Sequence, residues 1–144
     1  MPVVQVTRRV HFSAAHRLYR PDWSDERNAE VFGDCSNPSW HGHNYELEVT
    51  VEGPVDTDTG FVMDLKCLKD VLENRVLADV DHRNLNSEVE WLADVNPTTE
   101  NLVVAIWDRV VHAVPEGVRL AKVVLHETPR NSAEYCGPEE NTGP

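Results

Sequence analysis

The amino-acid sequence predicts a single α+β domain over residues 1–144, with two helices on one face of a four-stranded antiparallel sheet. Three observations support this fold class. Three segments alternate apolar and polar residues, as half-buried strands do, and a short fourth strand is predicted after the last of them. Two segments between them carry apolar residues at helical spacing. The length of 144 residues suits one core, and the order of elements is ββααββ.

The first two strands place histidines on apolar faces. The first strand is predicted over residues 3–17, where one parity is shared by Val4, Val6, Val10, Phe12, Ala14 and His16. Arg8 interrupts that parity, which predicts a bulge or an exposed start. In the second strand, His41 and His43 open the parity that continues through Tyr45, Leu47, Val49 and Val51. Three imidazoles therefore project from apolar strand faces.

The segment from about residue 19 to residue 38 is predicted to be irregular, because it is polar and punctuated by prolines. Long structureless inserts in small domains are usually functional or partly disordered. This one brings Cys35 to the histidine pair, which favours a functional loop.

The second half of the chain supplies the helices and the remaining strands. After a turn at 56–60, Asp64 is predicted to cap a helix whose buried stripe is Leu65, Leu68, Val71, Leu72, Val76 and Leu77. A polar loop follows at 79–86. A second helix begins at 97–100, with the stripe Leu102, Val103, Ile106, Val110 and Val114. Strands are predicted at 119–127, where Ala121, Val123, Leu125 and Glu127 share a parity, and around 133–136, before a frayed tail at 137–144.

Composition narrows the functional classes. Thirteen Lys and Arg against 25 Asp and Glu give a net charge of −12, which disfavours a nucleic-acid or an anionic membrane surface. No apolar run is long enough to cross a bilayer, and the N-terminus lacks the pattern of a signal peptide. Three cysteines without paired spacing favour a reducing compartment, so we expect a cytoplasmic protein.

The three imidazoles predict a metal site. Antiparallel pairing of the first two strands brings His16 alongside His41 and His43. Three neutral imidazoles suit Zn²⁺ and leave a fourth position open, as in catalytic sites. Cys35 as a fourth ligand would instead close a structural site, and the spacing alone is compatible with either arrangement.

Three further features carry candidate chemistry. A thiolate near a cation is stabilised, so Cys35 would there be a usable base or nucleophile. Asp81 lies beside His82 in a polar loop, a pair that suits either a proton relay or an ordinary capped turn. Glu127 ends an apolar strand face, where an uncompensated carboxylate is costly. It therefore requires a partner, which is either a planar ligand with two N–H donors or a backbone or arginine group of the protein.

Five motifs in collinear order resemble the 6-pyruvoyl-tetrahydropterin synthase family, from about residue 8 to residue 136. They are FSAAHRL at 12–18, FGDCSNP at 32–38 with HGHNY at 41–45, DHRNLN at 81–86, PTTEN at 97–101 and ET at 127–128. The resemblance implies a tunnelling fold (T-fold), whose sheets join in trimers, with two trimers stacked into a homohexamer. It also implies Zn²⁺ at His16, His41 and His43, with Cys35 as the general base.

The resemblance assigns roles to five further residues. Asp81 and His82, from a neighbouring subunit, complete a proton relay. Glu127 anchors the pterin ring, with Thr98 and Thr99 beside it. The implied substrate is 7,8-dihydroneopterin triphosphate, from which triphosphate is eliminated with an internal redox rearrangement and without a nicotinamide cofactor.

Two alternatives remain open at this level. A related branch forms 6-carboxytetrahydropterin for queuosine and deazapurine synthesis, and typically has fewer residues between the cysteine and the histidine pair. Here five residues, 36–40, separate Cys35 from His41, which favours the pyruvoyl branch. Trp40 departs from the small residue often found before the pair. The other alternative is a noncatalytic zinc-bound oligomeric module in which Cys35 completes the ligand set.

Overall fold

The structure, a computed structural model, describes residues 1–139 and contains one sheet of five strands. The strands are β1 (Val3–His16), β2 (His41–Pro54), β3 (Arg83–Asn84), β4 (Arg119–His126) and β5 (Ser132–Tyr135). They lie in the order β3-β1-β2-β4-β5, and only β3 is parallel to its neighbour. The α+β class is confirmed, whereas the predicted strand count is one too low. A two-residue strand is too short to show alternation.

The pairing of β1 with β2 fixes the geometry of the site. All 14 residues of each strand pair in one continuous register, so β1 has no bulge near Arg8. The other predicted alternative, an exposed start, is observed, because Val3 and Val4 are exposed. A register shift lies instead between β2 and β4, next to Val51. There Leu120 pairs with Val51 and is buried, and Ala121, predicted to share the core parity of β4, is the extra residue.

Four α-helical segments accompany the sheet: α1 (Asp25–Phe32), α2 (Leu65–Leu72), α3 (Ala78–Val80) and α4 (Thr99–Val110). A π turn at Glu73–Leu77 joins α2 to α3, and 3-10 turns lie at Gly33–Ser36 and Glu90–Leu92. As predicted, Asp64 caps α2, accepting a hydrogen bond from the backbone N–H of Lys66 at 2.9 Å.

The prediction of an irregular segment at 19–38 is wrong, because this segment contains α1 and the first 3-10 turn. Ser24 caps α1 and accepts a hydrogen bond from the backbone N–H of Arg27. Only Asn28 of α1 is buried. The helix therefore has no apolar stripe from which sequence periodicity could have revealed it.

The core lies between α2, α4 and one face of the sheet. The strands contribute Val10, Phe12, Tyr45, Leu47, Val49, Val123 and Leu125, and the helices contribute Leu68, Leu72, Leu102, Val103, Ile106 and Val110. Leu65, predicted to be buried, is 37% exposed at the first position of α2. The last strand begins and ends one residue earlier than predicted. Of the predicted tail, residues 140–144 lie outside the described part of the chain.

None of the helices within residues 1–139 combines the length and the apolar character needed to span a bilayer.

Candidate active site

Three histidines meet where β1 ends and β2 begins. In the antiparallel register His16 lies opposite His41, and Ala14 lies opposite His43. The centroids of the imidazole rings are 4.5 Å apart for His16 and His41, 5.0 Å for His16 and His43, and 4.9 Å for His41 and His43. The predicted convergence of these three side chains is therefore observed.

The nitrogen atoms of this cluster suit a metal ion. One potential ligand atom from each histidine lies within 4.8 Å of the others. The Nδ1 atom of His16 is 2.9 Å from the carbonyl oxygen of Pro97, which fixes the tautomer by accepting the Nδ1–H and leaves Nε2 free. Within residues 1–139, the buried Nε2 atoms of His16, His41 and His43 have no hydrogen-bond partner. Unpartnered, converging imidazole nitrogens are the donor set expected for Zn²⁺.

Burial favours the neutral form of His16 and His43. Burial lowers the pKa of His16 to about 4, an effect that the hydrogen bond to Pro97 opposes. The pKa of His43 is also lowered by burial, against the opposing charge of Glu127. Neutral imidazole is the form that binds metals.

Tyr45 is a site residue that sequence reasoning treated only as core. It is fully buried, and its hydroxyl lies 3.3 Å from the Nδ1 atom of His16. Burial raises the pKa of this phenol, so it stays protonated. The sequence signals for this position were its parity on β2, shared with His41 and His43, and its place in the HGHNY motif.

Glu127 reaches the same site from the residue after β4. Its Oε1 atom is 3.8 Å from Nε2 of His43, and its Oε2 atom accepts a hydrogen bond of 2.7 Å from the Thr99 hydroxyl. The required partner is thus a threonine hydroxyl, which was not among the alternatives considered from the sequence. Thr98 acts differently, because its hydroxyl caps α4 by accepting from the backbone N–H of Asn101 at 3.1 Å.

Cys35 lies in the 3-10 turn that follows α1. Its carbonyl accepts a hydrogen bond of 2.8 Å from the backbone N–H of Leu18, which ties the turn to the exit of β1. Burial, followed by the negative charges of Glu127 and Asp34, raises the pKa of the thiol. In the protein alone the surroundings thus favour the thiol over the thiolate. Cys35 is not a member of the group of potential ligands found within the described residues, which consists of the three histidines.

Asp81 and His82 lie between α3 and β3. The Oδ1 atom of Asp81 accepts the backbone N–H of Ser13 at 3.0 Å and lies 3.0 Å from Nδ1 of His82. The hydrogen bond from Ser13 is the main cause of the lowered pKa of Asp81. The side chain of His82 is 83% exposed and lines a groove of about 460 Å³ with Ser13, Asn44 and His43.

Comparison with known proteins decides the family. The profile of the family "6-pyruvoyl tetrahydropterin synthase" matches residues 5–138. The chain belongs to this family. The 6-pyruvoyl tetrahydrobiopterin synthase of Homo sapiens is 49% identical over 133 residues, covering 92% of this chain and 91% of the relative. The Drosophila melanogaster protein of the same name is 47% identical over 95% of this chain and 82% of its own length.

A solved structure confirms the fold. The 6-pyruvoyl tetrahydropterin synthase of Caenorhabditis elegans superposes with a TM-score of 0.89 at 41% identity, covering 96% of this chain and 98% of that one. The T-fold expected from the sequence motifs is therefore confirmed.

More distant relatives carry other names. A probable 6-carboxy-5,6,7,8-tetrahydropterin synthase of Halobacterium salinarum is 32% identical over 88% of this chain and 82% of its own length. The higher identity to proteins named for pyruvoyl-forming activity supports the predicted pyruvoyl-type function.

Proposed function

We propose that this protein is a zinc-dependent 6-pyruvoyl-tetrahydropterin synthase, a carbon–oxygen lyase that eliminates triphosphate from 7,8-dihydroneopterin triphosphate. The main observation behind the proposal is that three imidazoles with buried Nε2 atoms that lack hydrogen-bond partners converge beside the Glu127 carboxylate, which accepts a hydrogen bond from the Thr99 hydroxyl. The identity of 49% to the human synthase supports the same activity.

His16, His41 and His43 would hold the zinc ion. When bound, zinc supplies Lewis-acid polarisation of the substrate's side-chain oxygens and a local positive charge in an acidic protein. Cys35 lies outside the group of potential ligands, which supports a metal site whose fourth position would stay open for a substrate.

Glu127 would orient the pterin. The Thr99 hydroxyl donates a hydrogen bond to Oε2 of Glu127. The remaining lone pairs of the Glu127 carboxylate can accept hydrogen bonds from two N–H groups of the amino-pyrimidine edge. Fixing the ring at Glu127 places the side chain of the pterin towards the histidines, which is positioning of the kind that raises kcat. Thr98 would act by fixing the start of α4, and hence Thr99, beside the ring.

Cys35 would remove the proton from the side-chain carbon of the substrate. Its raised pKa in the protein alone means that this role depends on a nearby cation to favour the thiolate. Asp81 and His82 would complete the relay from a neighbouring subunit, as the family resemblance implies; within residues 1–139 the polar partners of their side chains are Ser13 and each other. A site shared between subunits requires an oligomer, and the proposed homohexamer of two trimers would provide it.

The experiment is product analysis with the purified protein and the triphosphate substrate. We expect 6-pyruvoyl-tetrahydropterin by mass spectrometry and stoichiometric release of inorganic triphosphate. Cys35→Ala should abolish turnover while zinc content and pterin affinity persist, and Cys67→Ala, at an exposed position of α2, serves as the matched control. Full turnover of Cys35→Ala would remove the cysteine from the mechanism.

Two other functions give different results in the same assay. A 6-carboxytetrahydropterin product would identify the queuosine and deazapurine branch. The 32% identity to the probable 6-carboxy-5,6,7,8-tetrahydropterin synthase of Halobacterium salinarum is the reason to test for this product. A noncatalytic zinc module would show no turnover and no pterin affinity. X-ray absorption would then find sulfur in the zinc coordination sphere, whereas the proposed synthase has only nitrogen and oxygen ligands.

A further inference from the structure

The segment after α3 continues alongside β1 beyond the two residues of β3. The backbone N–H of His82 donates to the carbonyl of Ser13 at 2.6 Å, and that of Leu85 donates to Ala15 at 2.8 Å. At the next position the side chain of Asn86 replaces the backbone. Its Oδ1 accepts the N–H of Arg17 at 2.9 Å and its Nδ2 donates to the carbonyl of Arg17 at 2.8 Å. Asn86 therefore fixes the backbone N–H and the backbone carbonyl of Arg17, the residue that follows His16.

Arg17, whose backbone is fixed by Asn86, and the neighbouring Leu18 bind the turn that contains Cys35. The Nε of Arg17 donates a hydrogen bond of 2.7 Å to the carbonyl of Ser36, while the N–H of Leu18 donates to the carbonyl of Cys35 at 2.8 Å. Two consecutive carbonyls of the turn are thus held by the exit of β1. The guanidinium carbon lies 3.9 Å from the centroid of the Tyr19 ring, which fixes the direction of the Arg17 side chain.

Two other hydrogen bonds of this turn are local, from the Ser36 hydroxyl to the carbonyl of Gly33 at 2.8 Å and from the N–H of Asn37 to the carbonyl of Asp34 at 3.1 Å. The turn is four residues long, and of these only Ser36 is buried. Helix α1, which precedes it, buries only Asn28. A short turn with little buried apolar surface opens locally at low free-energy cost unless hydrogen bonds constrain it.

We propose that Asn86 is a positioning residue that, through Arg17, fixes the Cys35 turn relative to His16. Arg17 acts in this clamp as a hydrogen-bond donor rather than as a charge. The catalytic consequence rests on the proposed function, since it assumes that Cys35 acts on the substrate. The mechanical consequence, restricted motion of the Cys35 turn, does not depend on it.

The first test replaces Asn86 by leucine in the zinc-loaded, full-length protein. We measure alkylation of each cysteine by iodoacetamide, using peptide mass spectrometry. Asn86→Leu should raise the alkylation rate of Cys35 about tenfold, because opening of the turn exposes a thiol that is otherwise partly buried. The rates of Cys67 and Cys136, the urea midpoint and the zinc content should stay at their wild-type values. Turnover should fall about 10- to 100-fold in kcat with KM retained, as expected for a misplaced catalytic group.

The matched control is Gln5→Leu. It removes another hydrogen bond donated by a side-chain amide, the one from Gln5 to the Glu52 carboxylate at 3.2 Å, and it lies at the other end of β1 from Arg17. This variant should leave the alkylation of Cys35 and kcat at wild-type levels. Wild-type alkylation and kcat in Asn86→Leu, or an equal rise in Gln5→Leu, would overturn the proposal.

The second test distinguishes the hydrogen bond donated by Nε of Arg17 from the positive charge of its side chain. Arg17→Gln removes the charge but keeps an N–H donor the same number of bonds from the backbone, whereas Arg17→Met removes both. Arg17→Gln should retain slow alkylation of Cys35, and Arg17→Met should reproduce Asn86→Leu. If alkylation of Cys35 were equally faster in both variants, Arg17 would act through its charge, and the proposal that it acts as a hydrogen-bond donor would be refuted. If the wild type shows no turnover, the proposed function fails. The alkylation rates still test whether Asn86 and Arg17 restrict the motion of the Cys35 turn.

Discussion

At the scale of single residues, the site depends on hydrogen bonds that set which atoms are free to react. His16 gives its Nδ1–H to the carbonyl of Pro97, so Nε2 faces the other two histidines. Glu127 takes one hydrogen bond from Thr99 and keeps its other lone pairs available. Neither partner is near in the sequence, since Pro97 lies 81 residues after His16 and Thr99 lies 28 residues before Glu127.

The Thr99 hydroxyl should therefore contribute to pterin binding. Thr99→Val removes the donor to Glu127 with little change in volume, and we expect pterin affinity to fall about fivefold, the cost of one such hydrogen bond. Thr99→Ser keeps the hydroxyl and should bind nearly as well as the wild type. Titration calorimetry with a pterin ligand measures both, and equal loss in the two variants would contradict a role for the hydroxyl.

The carboxyl of Asp81 predicts a pH dependence of stability. Its pKa is lowered in the folded state, chiefly by the backbone N–H of Ser13 and further by His82. Its contribution to the free energy of unfolding is therefore fully present above the unfolded value of about 3.9 and is lost as the pH falls through the folded value. Urea unfolding of the wild type and of Asp81→Asn should give a stability difference that is constant above about pH 5 and shrinks as the pH falls from about 4 to about 2.

A constant difference over that range would show that Asp81 does not titrate with a lowered pKa. Asp58→Asn, at an exposed turn position, provides the comparison for removal of one negative charge alone.

At the scale of elements, the register of β1 with β2 determines whether the metal site exists. His16 opposes His41 in a pairing that extends without a shift over 14 residues. Because side chains alternate between faces, a slip by one residue would place His16 on the opposite face from His41 and His43. The length of this ladder and its buried apolar face secure the register against such a slip.

The chain after β5 also packs against a helix, which a glycine substitution can test. Gly137 has φ +95°, and a Cβ there would lie 2.6 Å from Cζ2 of Trp107 in α4. Gly60 has φ +76° and open space around it, so it reports backbone strain alone. By urea unfolding, Gly137→Ala should destabilise the protein by about 1–3 kcal/mol more than Gly60→Ala, which is the usual cost of overpacking. Equal losses would show that Gly137 does not pack on Trp107.

At the scale of the whole molecule, the sheet leaves hydrogen-bonding edges for neighbouring chains. Within residues 1–139, β3 covers β1 only at Ala14 and Ala15, and β5 forms the other edge. Exposed edges of this kind favour pairing between subunits. The proposed trimers would use them, and native mass spectrometry should show species of six chains.

Mixing of inactive variants tests whether neighbouring subunits share a site. Cys35→Ala and His82→Ala should each be inactive. If Cys35 and His82 of one site come from different chains, co-refolding equal amounts should restore about a quarter of the wild-type activity, because that fraction of sites combines two intact residues. No recovery, in a mixture shown to form mixed oligomers, would place both residues of a site in one chain.

The sequence alone determined the four longer strands, the two amphipathic helices α2 and α4, and the three converging histidines, because alternation and helical spacing are local patterns. The tertiary structure decided the rest. It revealed α1, which has no apolar stripe, and β3, which is too short for alternation. It also identified Thr99 as the donor to Glu127 and Asn86 as the residue that holds Arg17. Such polar partners are chosen by the packing of distant segments, and no short-range periodicity records that choice.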